Sequence, residues 1–271
     1  MIRFDKDQAF NRTGFKSGSV DILEAKVSKC WASCLGKCGG GFSGEHYVSK
    51  GMFTGPTVMI QGLPWCKEER KTIGINSAVG KILCRSHNSG LSPMDNEAAK
   101  LMRAIRAQQI AYAERSRAGA NVAPLHHVIN ARLIERWLLK TLLNFLFEGQ
   151  FLIGRSGETI GIPPTDLVEA AFGIRPFVGR AGLHIGVHQD LVMVMDETVQ
   201  LIPLVQHGRV IGGQFRVAGI MMYLCLDPDG IEVPFYLVPG VDLDWASTEL
   251  HWRFRKIKFG TGDKQMIKFN W

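Results

Sequence analysis

No apolar run in these 271 residues approaches the roughly 20 that a membrane-crossing helix needs, so no transmembrane segment is expected. The opening Met1-Ile2-Arg3-Phe4-Asp5-Lys6-Asp7 also lacks an apolar core, so no secretory leader is expected. Neither glycine group, Gly39-Gly40-Gly41 or Gly212-Gly213, precedes the Lys-Ser or Lys-Thr of a phosphate-binding loop, and both read as turns. Internal repeats and low-complexity tracts are absent too. What remains is a globular composition with a net charge of +7 and a pI near 9.2, which favours polyanions as partners. Charge by itself does not separate nucleic acid from an acidic membrane surface. Cysteine is sparse, at 6, but not scattered: Cys30, Cys34 and Cys38 share one short window. Such crowding without a leader reads as metal binding in a reducing cytoplasm rather than as disulfides.

The chain is long enough for one large or two modest domains. The first ~25 residues show little apolar periodicity. Short extended runs follow at 57–60 and 80–84. Ser92-Pro93 signals a helix running to about Arg117, with Ser92 as cap and Leu101, Met102, Ile105 and Tyr112 on the buried side. A second helix is expected over about 129–147, with a broad stripe from Leu133 to Phe145, and a third over 165–172. From Leu183 the pattern becomes strands, at 183–187, 191–195, 200–205, 209–212, 214–226 and 231–238, and the chain closes on a hairpin about Gly260-Thr-Gly-Asp263. The expected fold class is α+β: a zinc-scaffolded domain over 1–120, then a helix-plus-antiparallel-sheet domain over 121–271.

Zinc takes four soft or borderline ligands, usually as two close pairs. Cys34-Leu-Gly-Lys-Cys38-Gly-Gly has the look of a knuckle, and Cys84-Arg-Ser-His87 supplies a second pair entering a helix. Cys30 can replace either knuckle cysteine. Cys66 and Cys225 read as buried small hydrophobes. His126-His127 reads as a turn before a helix, and His184 with His188 as a polar sheet face.

Between the pairs stands Ser43-Gly-Glu45-His46-Tyr-Val, and Asn88 directly follows His87. Over roughly residues 30–100 this arrangement is similar to the His-Asn-His family of nucleases. The resemblance implies a ββα-metal fold on a zinc treble clef, with the carboxylate-His step on the first strand and the Asn opening the helix after the last zinc ligand. The second pair is Cys-x-x-His instead of the family's usual Cys-x-x-Cys, and the family's third signature His is absent: Ser89 to Glu97 offers only Asp95 and Glu97. Asp95 either completes a cation site or pairs with the Ser92 cap. The long step from His46 to Cys84 implies an inserted hairpin around Pro64 to Asn76.

The chemistry implied is phosphodiester hydrolysis. His46 would act as base, and Glu45 and Asn88, both oxygen donors, would suit a catalytic Mg²⁺ or Mn²⁺ beside the structural zinc. Adjacent side chains on a strand oppose each other, so Glu45 and His46 sharing a site requires a bulge, which Gly44 permits. The alternative leaves Glu45 a surface carboxylate and His46 a further zinc ligand. Basic residues gather at Lys100, Arg103 and Arg106, and at Arg253, Arg255, Lys256 and Lys258 among Trp252, Phe254, Phe259 and Trp271. The second group reads either as a nucleic-acid grip or as an ordinary sheet with its aromatics inward. The expected activity is a metal-dependent endonuclease on nucleic acid, with DNA first, in a restriction or phage-defence setting. A protein partner or homo-oligomer is also open. The alternatives are an inactive treble clef serving binding or assembly, and a sensor acting through the C-terminal part.

Overall fold

The computed structural model describes residues 2–4, 29–62, 66, 69–118, 123–186, 198–227, 250–259 and 265–271. Its class is α+β, as the periodicities require. A hydrophobic core cluster runs from Cys30 and Trp31 through Leu101, Trp137 and Phe215 to Phe269. The cluster draws on residues from both sides of position 120, where the domain boundary is expected.

Strand β2 (Phe42–His46) pairs antiparallel with β5 (Val79–Cys84), joining Phe42 to Cys84 and His46 to Val79, with a register shift between Ser43 and Glu45. A short helix α1 (Arg85–Gly90) leaves β5 directly, and the long α2 (Ser92–Ala118) follows after a single residue, Leu91. Because α1 ends on Leu91, whose carbonyl accepts from the Met94 and Asp95 amides, α2 starts without a Ser92–Asp95 cap. Leu101, Met102 and Ile105 are buried as their spacing predicts, whereas Tyr112 lies at 41% exposure.

The inserted hairpin, expected around Pro64 to Asn76, begins earlier, with β3 (Thr57–Gln61) paired antiparallel to β4 (Lys71–Gly74). It joins the large nine-stranded sheet through β1 (Ile2–Phe4), which lies parallel between β3 and β9 (Val199–Gln206). The sheet continues through β10 (Arg209–Val217), β11 (Ile220–Cys225), β8 (Gly182–Gly186) and β12 (Leu250–Trp252), with the short β7 (Leu152–Ile153) on β10. Apart from the parallel β1 and β7 contacts, these pairings are antiparallel, the geometry that tight turns such as His207-Gly208 and Ala218-Gly219 permit. The strands expected at 191–195 and 231–238 lie outside the described residues, as do His188 and the turn at 260–263.

Residues 125–130, with His126 and His127, form strand β6 (Leu125–Asn130) rather than a turn. It pairs parallel with β14 (Gln265–Asn270), which also pairs antiparallel with β13 (Lys256–Lys258). A distant partner thus overrides the local signal. Asn130 ends β6 and caps α3 (Ala131–Leu146), its side-chain oxygen accepting from the Leu133 amide at 3.1 Å. The broad apolar stripe of α3 is buried along its length, Trp137 and Leu138 completely. Helix α4 (Thr165–Phe172) stops on Gly173, whose φ of +71° only glycine adopts without cost.

Candidate functional site

Local chain geometry draws four side chains together. The Trp31 amide donates to the Ile82 carbonyl at 3.1 Å, pinning the segment beside β5 and setting Cys30 against Cys84. Gly40 and Gly41, both at φ near +70°, turn the chain after Cys38, and a Cβ on Gly40 would meet the Arg85 side chain at 3.0 Å. That turn hands the Gly41 and Gly39 carbonyls to the Arg85 and Ser86 amides, at 2.8 and 3.3 Å. Cys84 then caps α1, its sulfur accepting from the His87 amide at 3.5 Å. A second amide–sulfur bond runs from Cys84 N to Cys30 Sγ at 3.4 Å.

The resulting cluster is Cys30, Cys38, Cys84 and His87, with ligand atoms within 4.8 Å of one another. The three sulfurs lie 3.4, 3.6 and 3.3 Å from His87 Nδ1. Tetrahedral zinc, with bonds of about 2.3 Å to sulfur and about 2.1 Å to nitrogen, has S···N edges of about 3.6 Å. The donor set and its spacing therefore fit one zinc ion. Burial, then Cys30 and Cys84 alongside, push the Cys38 thiol up to about 12, and burial chiefly raises Cys30. At Cys84 burial also acts upward, but amide donation from His87 and Gly39 and contact with the other two thiols outweigh it, so the group lies below its ordinary value. A bound divalent cation would offset the cost of gathering thiolates. Cys34 does not join. It sits exposed on a 3-10 turn, Ser33–Leu35, that projects its side chain outward, so Cys30 takes its place. Phe172 of α4 covers the imidazole edge-on, at 5.5 Å between ring centroids.

Behind the cluster lies a buried polar network. Glu45, at 3% exposure, pairs with Lys140 of α3 at 2.5 Å, and the same ammonium reaches Asp95 of α2 at 2.6 Å. Ser49 Oγ donates to Asp95, and Trp137 Nε1 donates to Ser49 Oγ at 2.8 Å. Asn144 Nδ2 donates to Glu45 Oε1 at 3.2 Å, while its Oδ1 accepts from Trp31 Nε1 at 3.0 Å. Burial pushes the Glu45 carboxyl above its ordinary value, and Lys140 and Asn144 draw it partly back.

This network revises the expected cation site. Glu45 and Asp95 already share a protein ammonium, and Asn88 Nδ2 donates to Ser43 Oγ at 2.8 Å. Glu45 and Asp95 therefore do not fit an open Mg²⁺ or Mn²⁺ site in this arrangement. Asp95 is likewise no cap partner. Lys140 had no motif to mark it, although a lysine inside an apolar helical stripe is itself a signal.

His46 is half-buried on the opposite side of β2 from Glu45, as strand alternation requires. Burial, then the Lys140 and Lys50 charges, hold its imidazole below the ordinary value, so it is neutral near pH 7. Its Nε2 makes no hydrogen bond within the described residues. Exposed Lys50 beside it donates to Asn76 at 2.8 Å.

Of the basic residues, Lys100 pairs with Glu97 at 3.2 Å and Arg103 is exposed, while Arg106 donates to the Met52 carbonyl and so belongs to the packing. Arg253, Arg255 and Lys256 line one cleft with Trp271, and Lys258 ends β13. Cys66 and Cys225 are buried, as expected. His184 is buried on β8 with Nδ1 3.2 Å from the Gly182 carbonyl. No helix among the described residues is long and apolar enough to cross a membrane.

Fold and site together define a mixed α+β protein with a Cys3His group able to hold zinc. No family model matches the chain, and comparison with curated proteins and with solved structures gives no significant match.

Proposed function

We propose that this chain is a zinc-scaffolded endonuclease of His-Asn-His type, hydrolysing phosphodiester bonds of nucleic acid, DNA in the first instance. The observation that carries the reading is the placement of His46 and Asn88 on the strand and helix of one strand–strand–helix unit whose turns are pinned at Cys30, Cys38, Cys84 and His87. A neutral imidazole suits a general base, and its buried Nε2, without a partner among the described residues, would have to be uncovered when substrate binds. Asn88, tied to Ser43 two residues before Glu45, fixes the helix against the strand that carries the base. Lys50, exposed and close enough to act on the His46 imidazole, is a cation that could attract a phosphate. A divalent cation, when bound, would stabilise charge on the phosphate and leaving oxygen. No step is assigned to it, because Lys140 occupies the carboxylates that would hold it. Restriction or phage defence is the setting that the resemblance implies, in the cytoplasm.

The Glu45–Lys140–Asp95 network favours a second reading: a zinc-scaffolded module for binding or assembly, with these carboxylates held by an ammonium instead of a metal cation. Plasmid nicking separates the two. The endonuclease reading expects nicking with added Mg²⁺ or Mn²⁺ by the wild type, abolished in His46→Ala with zinc content and fold retained. A zinc-loaded wild type that cuts neither DNA nor RNA with either cation leaves the second reading standing.

A further inference from the structure

On the three-stranded β13–β14–β6 sheet, which carries no cysteine ligand, Arg253, Arg255, Lys256, Lys268, Phe269, Asn270 and Trp271 line a cleft of about 820 Å³. We infer that this cleft binds an unpaired nucleic-acid strand, with a base stacked on Trp271 and flanking phosphates on Arg255, Lys256 and Lys268. The inference deepens the nucleic-acid reading above but does not depend on cleavage.

The cations come first. Arg253, Arg255, Lys256 and Lys268 are all exposed, and among the described residues no acidic side chain lines the cleft. Lys256 and Lys268 are direct cross-strand partners on β13 and β14, so two like charges sit opposite each other on one ladder.

The aromatic platform is independent of those charges. Trp271 is half-buried and its indole is fixed: Nε1 donates to the Phe254 carbonyl at 2.9 Å, and Phe254 meets the ring edge-on. A fixed ring loses little entropy when a base stacks on it. Arg253 stands over the ring, its guanidinium carbon 5.9 Å from the centroid. Arg253 is held in place by a left-handed backbone, φ +48°, which costs free energy for a residue with a Cβ. The Arg253 guanidinium lies above the aromatic face.

An unpaired strand fits better than a duplex. A duplex hides its base faces and would use the cations alone, whereas a fixed tryptophan beside a guanidinium offers a stacking site that every base can use. Fluorescence anisotropy with a labelled twelve-residue oligothymidylate, without added divalent cation, tests the inference. Trp271→Ala should weaken binding by about 5- to 150-fold and leave the salt slope unchanged, while Trp271→Phe keeps most of the affinity. The paired change Lys256→Glu with Lys268→Glu should reduce the slope of log K against log salt by about 1.4, two contacts at about 0.7 each. A matched duplex should bind more weakly than the strand, and thymidine monophosphate far more weakly than either. His46→Ala should bind like the wild type, so loss of cleavage and loss of this site are read separately. Unchanged affinity in Trp271→Ala, or inorganic polyphosphate competing as well as the oligonucleotide at equal charge, overturns it.

Discussion

Cys30 and Cys34 differ by one helical turn of sequence and by everything in their surroundings. Cys30 is at 2% exposure with an amide donor on its sulfur; Cys34 is exposed on a turn that faces away from the cluster. Cys30→Ser should therefore lose bound zinc, measured by elemental analysis after dialysis, whereas Cys34→Ser should retain one equivalent. Retention in both would remove Cys30 from the ligand set. A second residue-level prediction concerns His184, whose imidazole lies below its ordinary value of 6.5 because of burial, with Arg180 adding to the effect and the Gly182 carbonyl opposing it. Above about pH 6.5 both folded and unfolded forms are neutral and the full stability is present. As pH falls through the lower folded value, the unfolded chain takes up the proton first, and stability is lost. Urea midpoints should fall between pH 7.5 and pH 5.5, and by less in His184→Gln.

Among the elements, α3 ties the two halves of the sequence through one ammonium. Lys140 is at 1% exposure among leucines, and the negative charges paired with it belong to β2 and α2. Removing one partner of a buried ion pair strands the other, so Lys140→Ala should lower stability by about 3–5 kcal/mol in urea titrations. Lys140→Ala combined with Glu45→Ala should cost well under the sum of the two single changes. Strict additivity would mean that the two groups do not act as a unit. Helices α2, α3 and α4 were legible because each carries a long 3.6-residue apolar period. Strand β6 was not, since its pairing with β14 joins residues about 140 positions apart and leaves no local trace.

For the molecule as a whole, a shared core means shared folding. Strand β1 is inserted between β3 and β9, and Trp31 beside the metal cluster bonds to Asn144 on α3. A fragment of residues 1–120 should therefore give a poorly dispersed amide spectrum even with zinc, while the full chain unfolds in one transition. A dispersed fragment spectrum would instead mark a true domain edge near residue 120. The cleft proposed to bind a nucleic-acid strand lies on a sheet whose third strand, β6, precedes α3, so the cleft should also be lost in any fragment that begins after residue 130.

The sequence alone determined the α+β class, the helices, and the residue types of a zinc group. Periodicity and ligand chemistry are local properties, and both survive in a linear string. Tertiary structure decided which cysteine completes the cluster, because sulfur-to-ion reach depends on the β5 contact that places Cys30 and not on its spacing from Cys38. It also decided the fate of Glu45. A carboxylate beside a histidine is a cation ligand by motif, but a lysine 95 positions away reaches it at 2.5 Å, and a buried charge takes the nearest counter-ion that the fold provides.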